Sequence, residues 1–187
     1  MSTIGFGNAH STGDGNGSWD TRRVALTALF VAAVIATSYI SIPIFPAAPF
    51  LKYDPSGIIC LLAGLLYGAR TGCIVATLPW IIRAFTNPAG ALMSFVIGIC
   101  GVLTACLIYK KVKNRTGLIL SLSLAGIVSV IAAIVMNLIV TPAFSGVSVE
   151  SVLAMIVPIL LPFNILKFAL NSAVAGIAFL PLSKILK

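Results

Sequence analysis

The chain has 187 residues, of which 59% are hydrophobic and only 9% are charged, and its mean hydropathy is +1.12. This composition excludes an ordinary water-soluble domain and indicates one compact domain within a membrane. The formal net charge of +8 comes from basic residues beside hydrophobic segments, so it indicates membrane topology and argues against binding to nucleic acid.

The N-terminal residues 1–21 are predicted to form a flexible polar tail, because Gly, Ser, Asn and Thr dominate there. They lack the basic n-region and apolar h-region of a secretory signal peptide. The first apolar run, residues 24–42, is longer than a cleavable h-region, so we interpret it as an uncleaved membrane span. Residues 22–187 are then predicted to form a single membrane domain.

Six hydrophobic segments predict an all-α integral membrane protein with six transmembrane helices. The second and third segments are short, and only residues 68–72 separate them, which indicates a tight helical hairpin. In the sixth segment Pro158 and Pro162 each remove a backbone donor, so this helix should be kinked or begin late. The six predicted segments are residues 24–42, 55–69, 72–86, 90–109, 117–141 and 153–182.

The basic residues predict the orientation of this multi-pass protein. Placing the N-terminus inside puts nine Lys and Arg residues at cytoplasmic ends, two at the outer side and one, Lys167, within the membrane. Such an excess of positive charge marks the cytoplasmic side. Both termini are therefore predicted to be cytoplasmic. The nine residues are Arg22, Arg23, Arg70, Lys110, Lys111, Lys113, Arg115, Lys184 and Lys187.

Lys167 is the only charged residue between Val152 and Leu182. An ammonium group near the middle of a membrane costs roughly 2.5–3.5 kcal/mol, so it should face a cavity or a partner. Asn164 and Asn171 stand at helical spacing from Lys167 and share its face of the helix. This polar stripe predicts a ligand-binding site. The alternative is that the two amides fasten helices while Lys167 extends to the membrane surface.

Two further residues are candidates for the same site. Asn137 is a second deeply placed amide, in the fifth segment, and it offers two donors and an acceptor at one point. Trp80, near the outer end of the third segment, could stack on a flat ligand. The alternatives are a hydrogen bond between helices for Asn137 and a place in the interfacial aromatic belt for Trp80.

The connection formed by residues 43–55 is unusually apolar, and four prolines stiffen it. Phe45, Phe50 and Tyr53 within it could cover a flat ligand from the outer side. The alternative is that this connection only packs on the membrane surface.

Several kinds of chemistry have no residues to support them. The only acids are Asp14, Asp20, Asp54 and Glu150, and none lies deep in a predicted span, so coupling to an ion gradient is not expected. There is no phosphate-binding glycine loop, no nucleophile–base constellation and no metal-ligand spacing among the four cysteines. We therefore expect neither an enzyme nor a metal site, and transport would need energy from another protein.

Ala28, Ala32 and Ala36 are spaced by four residues in the first segment. Small residues at this spacing let two helix backbones approach closely, so this face could dock another membrane protein. Packing inside the chain itself is the alternative.

Three parts of the sequence match the pattern of a known family. They are PFNILK (Pro162–Lys167), MNLIVTPAFSG (136–146), and NPAG (87–90) leading into LTACLIYK (103–110). Over about residues 22–187 the chain resembles the substrate-binding (S) component of energy-coupling factor (ECF) vitamin transporters, most closely the riboflavin-specific branch. The resemblance implies that riboflavin is the transported ligand and that no cofactor is held. It also implies a bacterial plasma membrane location, with a transmembrane coupling protein and two ATPase subunits as partners.

In the riboflavin branch, the residues that match Asn137, Asn164 and Lys167 bind the flavin ring. The family's acidic residue after the first loop falls near Asp54, where Pro55 and Ser56 depart from the family pattern. Riboflavin is uncharged and needs no counter-ion from Lys167, whose charge carbonyl dipoles could meet instead. Two alternatives stay open: an S component for another vitamin such as pantothenate, whose carboxylate would pair with Lys167, and a membrane scaffold that binds no ligand.

Overall fold

The computed structural model describes residues 20–40, 42–44 and 51–185, so Phe45 and Phe50 lie outside the described part. Helices make up nearly all of it, with one short pair of strands. A π-helical turn, Ile156–Leu160, joins the last two helices. The elements are α1 (Thr21–Ser38), β1 (Ile42–Pro43), β2 (Lys52–Tyr53), α2 (Ser56–Tyr67), α3 (Ala69–Arg83), α4 (Pro88–Lys111), α5 (Arg115–Ser145), α6 (Val149–Met155) and α7 (Leu161–Ile185).

The helices lie where the six apolar segments predicted them, with α6, the π-helical turn and α7 forming one continuous helix. Four helices are long and apolar enough to cross a membrane: α1, α4, α5 and the continuous helix Val149–Ile185. By contrast, α2 has 12 residues and α3 has 15. At 1.5 Å per residue these two are shorter than the roughly 30 Å of a bilayer core. The all-helical membrane fold is confirmed, whereas a full crossing by each of six helices stays a prediction.

The hairpin between α2 and α3 depends on glycine. Gly68, with φ +90°, makes the turn that the sequence predicted. A Cβ atom at Gly72 would lie 2.6 Å from the Cα atom of Gly64, which is closer than two carbon atoms can pack. The two helices therefore touch backbone to backbone where α2 ends and α3 begins.

The most deeply buried side chains of the core are small or β-branched. Val34 of α1, Ala63 of α2, Val75 of α3, Ala105 of α4 and Ala175 of α7 are each 0% exposed. Ala28, Ala32 and Ala36 lie on the other side of α1 and are exposed. These three alanines therefore do not pack inside the described part of the chain, which was the alternative to docking another membrane protein.

Most of the basic residues gather at one end of the bundle. Arg23 donates to the Tyr67 carbonyl at 2.8 Å, which places the start of α1 beside the α2–α3 turn. Tyr109 near the end of α4 makes an edge-on contact with Phe179 near the end of α7. The ends of α2, α4 and α7 thus meet here, and α5 begins here too. We call this the basic end; which side of a membrane it faces stays a prediction.

The proline-rich connection contains a short pair of strands, which the sequence did not predict. Ile42 pairs with Tyr53, and Pro43 pairs with Lys52, in a two-stranded antiparallel ladder. The pairing draws the end of α1 and the start of α2 together at the end of the bundle opposite the basic end. It also fixes the position of Asp54, which follows directly.

The π-helical turn lies at the site of the predicted kink. Pro158 lies within it and Pro162 two residues beyond its end, and the Leu161 amide donates to the Ile156 carbonyl five residues earlier. A proline cannot donate to the regular helical ladder, and a wider turn accommodates that loss. The widened turn is followed at once by the face of α7 that carries Asn164.

Candidate functional site

Two adjoining cavities lie between the helices, at the end of the bundle opposite the basic end. The larger has a volume of about 370 Å³ and the smaller about 90 Å³. Both are lined by Asp54, Trp80, Asn164 and Lys167; the larger also reaches Asn137, and the smaller reaches Asn171. The structure thus brings together all six residues that the sequence analysis proposed for ligand binding. A volume of this size is typical of small-molecule sites.

Lys167 is paired with a carboxylate. Its Nζ atom lies 3.3 Å from Oδ2 of Asp54, and the two side chains are 20% and 15% exposed. The expectation that carbonyl dipoles would meet the charge of Lys167 was therefore wrong. The partner comes from the connection before α2, 113 residues earlier in the chain, and the β1–β2 pairing carries it over the cavity.

Asp54 is itself held by the first turn of α2. Its Oδ1 atom accepts a hydrogen bond from the Ser56 amide at 3.2 Å and another from the Ser56 hydroxyl. The positive end of a helix dipole stabilises a carboxylate at this place. The departure at Pro55 and Ser56 therefore does not remove the acidic group from the site; Ser56 positions it.

Asn171 is fixed by a residue of the connection. It is 2% exposed, and its Oδ1 atom accepts a hydrogen bond from the Tyr53 hydroxyl at 3.0 Å. A Cβ atom at Gly57 would lie 2.5 Å from Nδ2 of Asn171, so the amide occupies space that only glycine leaves free. Burial, and to a lesser extent the Asp54 carboxylate, raises the pKa of Tyr53 above its ordinary value. The hydroxyl therefore keeps its proton and remains the donor.

Asn164 and Asn137 are held in similar ways. The Nδ2 atom of Asn164 donates to the Leu160 carbonyl at 2.7 Å, and that of Asn137 donates to the Ala133 carbonyl at 2.8 Å. Each bond stays within one helix, so within the described residues neither amide fastens two helices together. The Asn164 oxygen makes no hydrogen bond to another described residue and can accept one from a ligand.

Trp80 lies inside the bundle and not at a lipid interface. It is 8% exposed and lines both cavities. The guanidinium of Arg83 lies 5.3 Å from the Trp80 ring and 5.4 Å from the Tyr39 ring, within the range of a cation–π contact. Arg83 also donates to the Ser38 carbonyl at 2.7 Å. These contacts tie the end of α1 to the wall of the larger cavity.

Sequence reasoning missed several residues of the cavity walls. Ser38 of α1, Ser94 and Ile97 of α4, and Phe163 of α7 line the larger cavity. Small polar and apolar residues of these types are common in any membrane helix, so their positions in the sequence carry no signal of a site.

The site combines polar groups of fixed direction with apolar walls. It offers carboxamides, one ion pair and an aromatic ring, an arrangement that can bind a small flat molecule with a polar edge. Among the described residues, no group of three or more His, Cys, Asp or Glu could hold a metal ion.

The fold and this cavity define an all-helical membrane protein with space for a small molecule. The family model of the ECF transporter substrate-specific component matches residues 22–179. The chain therefore belongs to this family. It has a transport role and not an enzymatic one.

Three curated relatives are named riboflavin transporters. RibU of Staphylococcus aureus (strain TCH60) is 28% identical over 175 residues, which cover 89% of this chain and 93% of the relative. FmnP of Bacillus subtilis (strain 168) is 26% identical over 152 residues, covering 74% and 80%. RibU of Streptococcus thermophilus (strain ATCC BAA-250 / LMG 18311) is 28% identical over 182 residues, covering 89% and 85%.

A solved structure of an S component of a bacterial ECF transporter has a similar fold. The TM-score is 0.77 at 29% sequence identity, over 89% of this chain and 98% of the solved one.

Proposed function

We propose that this chain is the riboflavin-binding subunit of an ECF transporter in a bacterial plasma membrane. It binds riboflavin with high affinity from the outer side. A transmembrane coupling protein and two ATPase subunits supply the energy for uptake. The observation that carries the proposal is the convergence of Asn137, Asn164 and Lys167 on one cavity of about 370 Å³. The names of the three relatives support the choice of vitamin.

The chemistry of the cavity suits a flavin ring. The pyrimidine edge of isoalloxazine presents carbonyl acceptors on either side of an N–H donor. Asn164 offers a free amide oxygen to that donor, and Lys167 offers N–H groups to a carbonyl. Trp80 and the apolar wall of α4 flank the flat ring. The Asp54–Lys167 pair is in position for hydroxyl groups of the ribityl chain as well.

The ion pair favours an uncharged ligand over a carboxylate vitamin. A carboxylate such as that of pantothenate would gain most from an ammonium that lacks a partner. Lys167 already has Asp54 at 3.3 Å, so the added carboxylate would also be repelled by Asp54. Riboflavin carries no charge, so Asp54 does not repel it and its binding does not depend on an unpaired ammonium.

The arrangement of the amides argues against a scaffold without a ligand. In a scaffold, Asn137 and Asn164 would hydrogen-bond to neighbouring helices. Each donates instead within its own helix and lines the cavity.

Analysis of the ligand that co-purifies with the protein tests the proposal. The full chain is expressed in bacteria grown with riboflavin, extracted in mild detergent, and examined by absorbance spectroscopy and mass spectrometry. We expect a yellow preparation with flavin absorbance and the mass of riboflavin in near-equal molar ratio. A colourless protein to which added riboflavin does not bind would overturn the proposal, and pantothenate in its place would support the other vitamin.

A further inference from the structure

A further cavity, of about 340 Å³, lies on the outside of the bundle between α5 and α7. It is a groove between two helices. Both helices are long and apolar enough to cross a membrane. Ile119 on one wall is 67% exposed and Ile177 on the other is 73% exposed. The groove therefore opens towards the bilayer. Its apolar walls consist mainly of Leu118, Ile119 and Leu122 of α5 and Ala173, Ile177 and Leu180 of α7.

Both walls of the groove end in a cation at the basic end. Arg115 is the first residue of α5 and lines the groove itself. Lys184 lies four residues after Leu180 on α7, which places it on the same helical face. Both side chains are exposed, and neither forms a hydrogen bond or ion pair with any residue that the structure describes.

We propose that this groove is a specific site for an anionic phospholipid. One acyl chain lies between α5 and α7, and the headgroup phosphate lies against Arg115, with Lys184 beside it. A planar guanidinium can donate two parallel hydrogen bonds to phosphate oxygens. Basic pockets between membrane helices are suited to anionic lipid headgroups for this reason. The charge at one end and the apolar groove beyond it match the two parts of such a lipid.

The part of the groove near Ser172 and Gly176 is closed by contact between the two helices. Ser172 lines the groove, but its hydroxyl donates to the Leu122 carbonyl at 3.3 Å. A Cβ atom at Gly176 would lie 3.1 Å from Leu122, so α5 and α7 approach closely at the floor. The floor is thus a packed contact between helices, and only the outer part is free for a lipid.

Lipid retention by the purified full chain tests this site. The protein is exchanged from detergent into defined mixtures of phosphatidylglycerol and phosphatidylcholine with identical acyl chains, and retained lipid is measured by native mass spectrometry. We expect phosphatidylglycerol to be retained in preference to phosphatidylcholine. In Arg115→Gln that preference should fall about fivefold, the effect of one basic side chain near a membrane surface. Lys110→Gln removes an equal charge outside the groove at the same end and should change nothing.

The groove itself is tested by filling it. Ala173→Phe places a ring in the groove and should abolish lipid retention, whereas Ala154→Phe, at an exposed position of α6 away from the groove, should not. If Ala173→Phe has lost helical circular dichroism, Ser123→Phe on the opposite wall takes its place. Equal retention of the two lipids by the wild type would overturn the proposal. Normal retention by the Arg115→Gln and groove-filled variants would also overturn it. So would mass spectra that show a dimer of the chain without retained lipid.

Discussion

The pairing of Lys167 with Asp54 has consequences for stability that can be measured residue by residue. Removing only one partner leaves a charge without compensation in a mostly buried place, which costs more than removing both. We expect Asp54→Asn and Lys167→Met each to lower the thermal stability in detergent, and the double variant to lose less than the sum. The coupling energy should be about 0.5–3 kcal/mol. Strictly additive effects in the four proteins would mean that the two groups do not interact.

Tyr53 gives a prediction about alkaline pH. Its pKa is raised by burial and by Asp54, so the folded state favours the protonated hydroxyl. The stabilisation from this group is complete below the ordinary tyrosine pKa of about 10 and is lost as pH rises through the higher folded value. Comparing melting temperatures of the wild type and Tyr53→Phe from pH 7 to 11 should show a constant difference that shrinks only above about pH 10. A difference that already shrinks between pH 7 and 9 would contradict this account.

The sequence predicted which polar residues lie together far better than it predicted the contacts that they make. Lys167, Asn164 and Asn171 stand out because polar groups on one face of an apolar helix are costly unless they are used. Helical spacing places these three together without any knowledge of the fold. The partners Asp54 and Tyr53 lie more than 110 residues away in the chain. A single sequence carries no signal for such a contact.

At the scale of elements, the contact between α2 and α3 is a sharp test of packing. Gly72→Ala would force a Cβ atom against the backbone of Gly64, and overpacking of this kind costs roughly 1–3 kcal/mol. We expect a lower melting temperature for Gly72→Ala.

Gly126→Ala is the matched control for this substitution. The nearest atom to its added Cβ, the Ser172 hydroxyl oxygen, lies at 3.7 Å, an ordinary contact distance. Replacing glycine by alanine within a helix should then stabilise slightly. If both variants melt like the wild type, the backbone contact between α2 and α3 does not contribute as described.

The helices could be predicted from apolar runs alone, because each run is bounded by glycine, proline or charge. Two local features could not be predicted in this way. The β1–β2 ladder involves only two residues on each strand within a proline-rich connection, where strand propensity gives no signal. The two prolines of the last helix predicted a disturbance but not its form, because a proline can be accommodated by a kink or by a widened turn as it is here.

At the scale of the whole molecule, we predict that the proposed coupling protein docks on the exposed face of α1 that carries Ala28, Ala32 and Ala36. Small side chains let a partner helix approach closely, and Ala32→Trp would hold it away by the width of an indole. Riboflavin binding should survive in detergent, because α1 contributes little to the cavity. ATP-dependent uptake in proteoliposomes with the coupling protein and ATPases should fall by at least about tenfold, which corresponds to 1.4 kcal/mol.

A control on another helix is Ile131→Trp of α5, at a position that is 57% exposed. Uptake by this variant should stay close to that of the wild type. Normal uptake with Ala32→Trp would place the docking surface elsewhere, and loss of riboflavin binding would mean that the face serves the fold of the chain itself.

The central claim is that Asn164 and Lys167 bind riboflavin in the cavity between the helices. The most direct measurement is a titration of riboflavin fluorescence with the purified protein in detergent, for the wild type, Asn164→Ala, Lys167→Ala and the control Lys110→Ala. We expect saturable binding at one riboflavin per chain. Each site variant should bind about ten to a hundred times more weakly, because a lost hydrogen bond in a buried site costs about 1–3 kcal/mol, and the control should match the wild type. No saturable binding by the wild type, or unchanged affinity in both site variants, would contradict the claim.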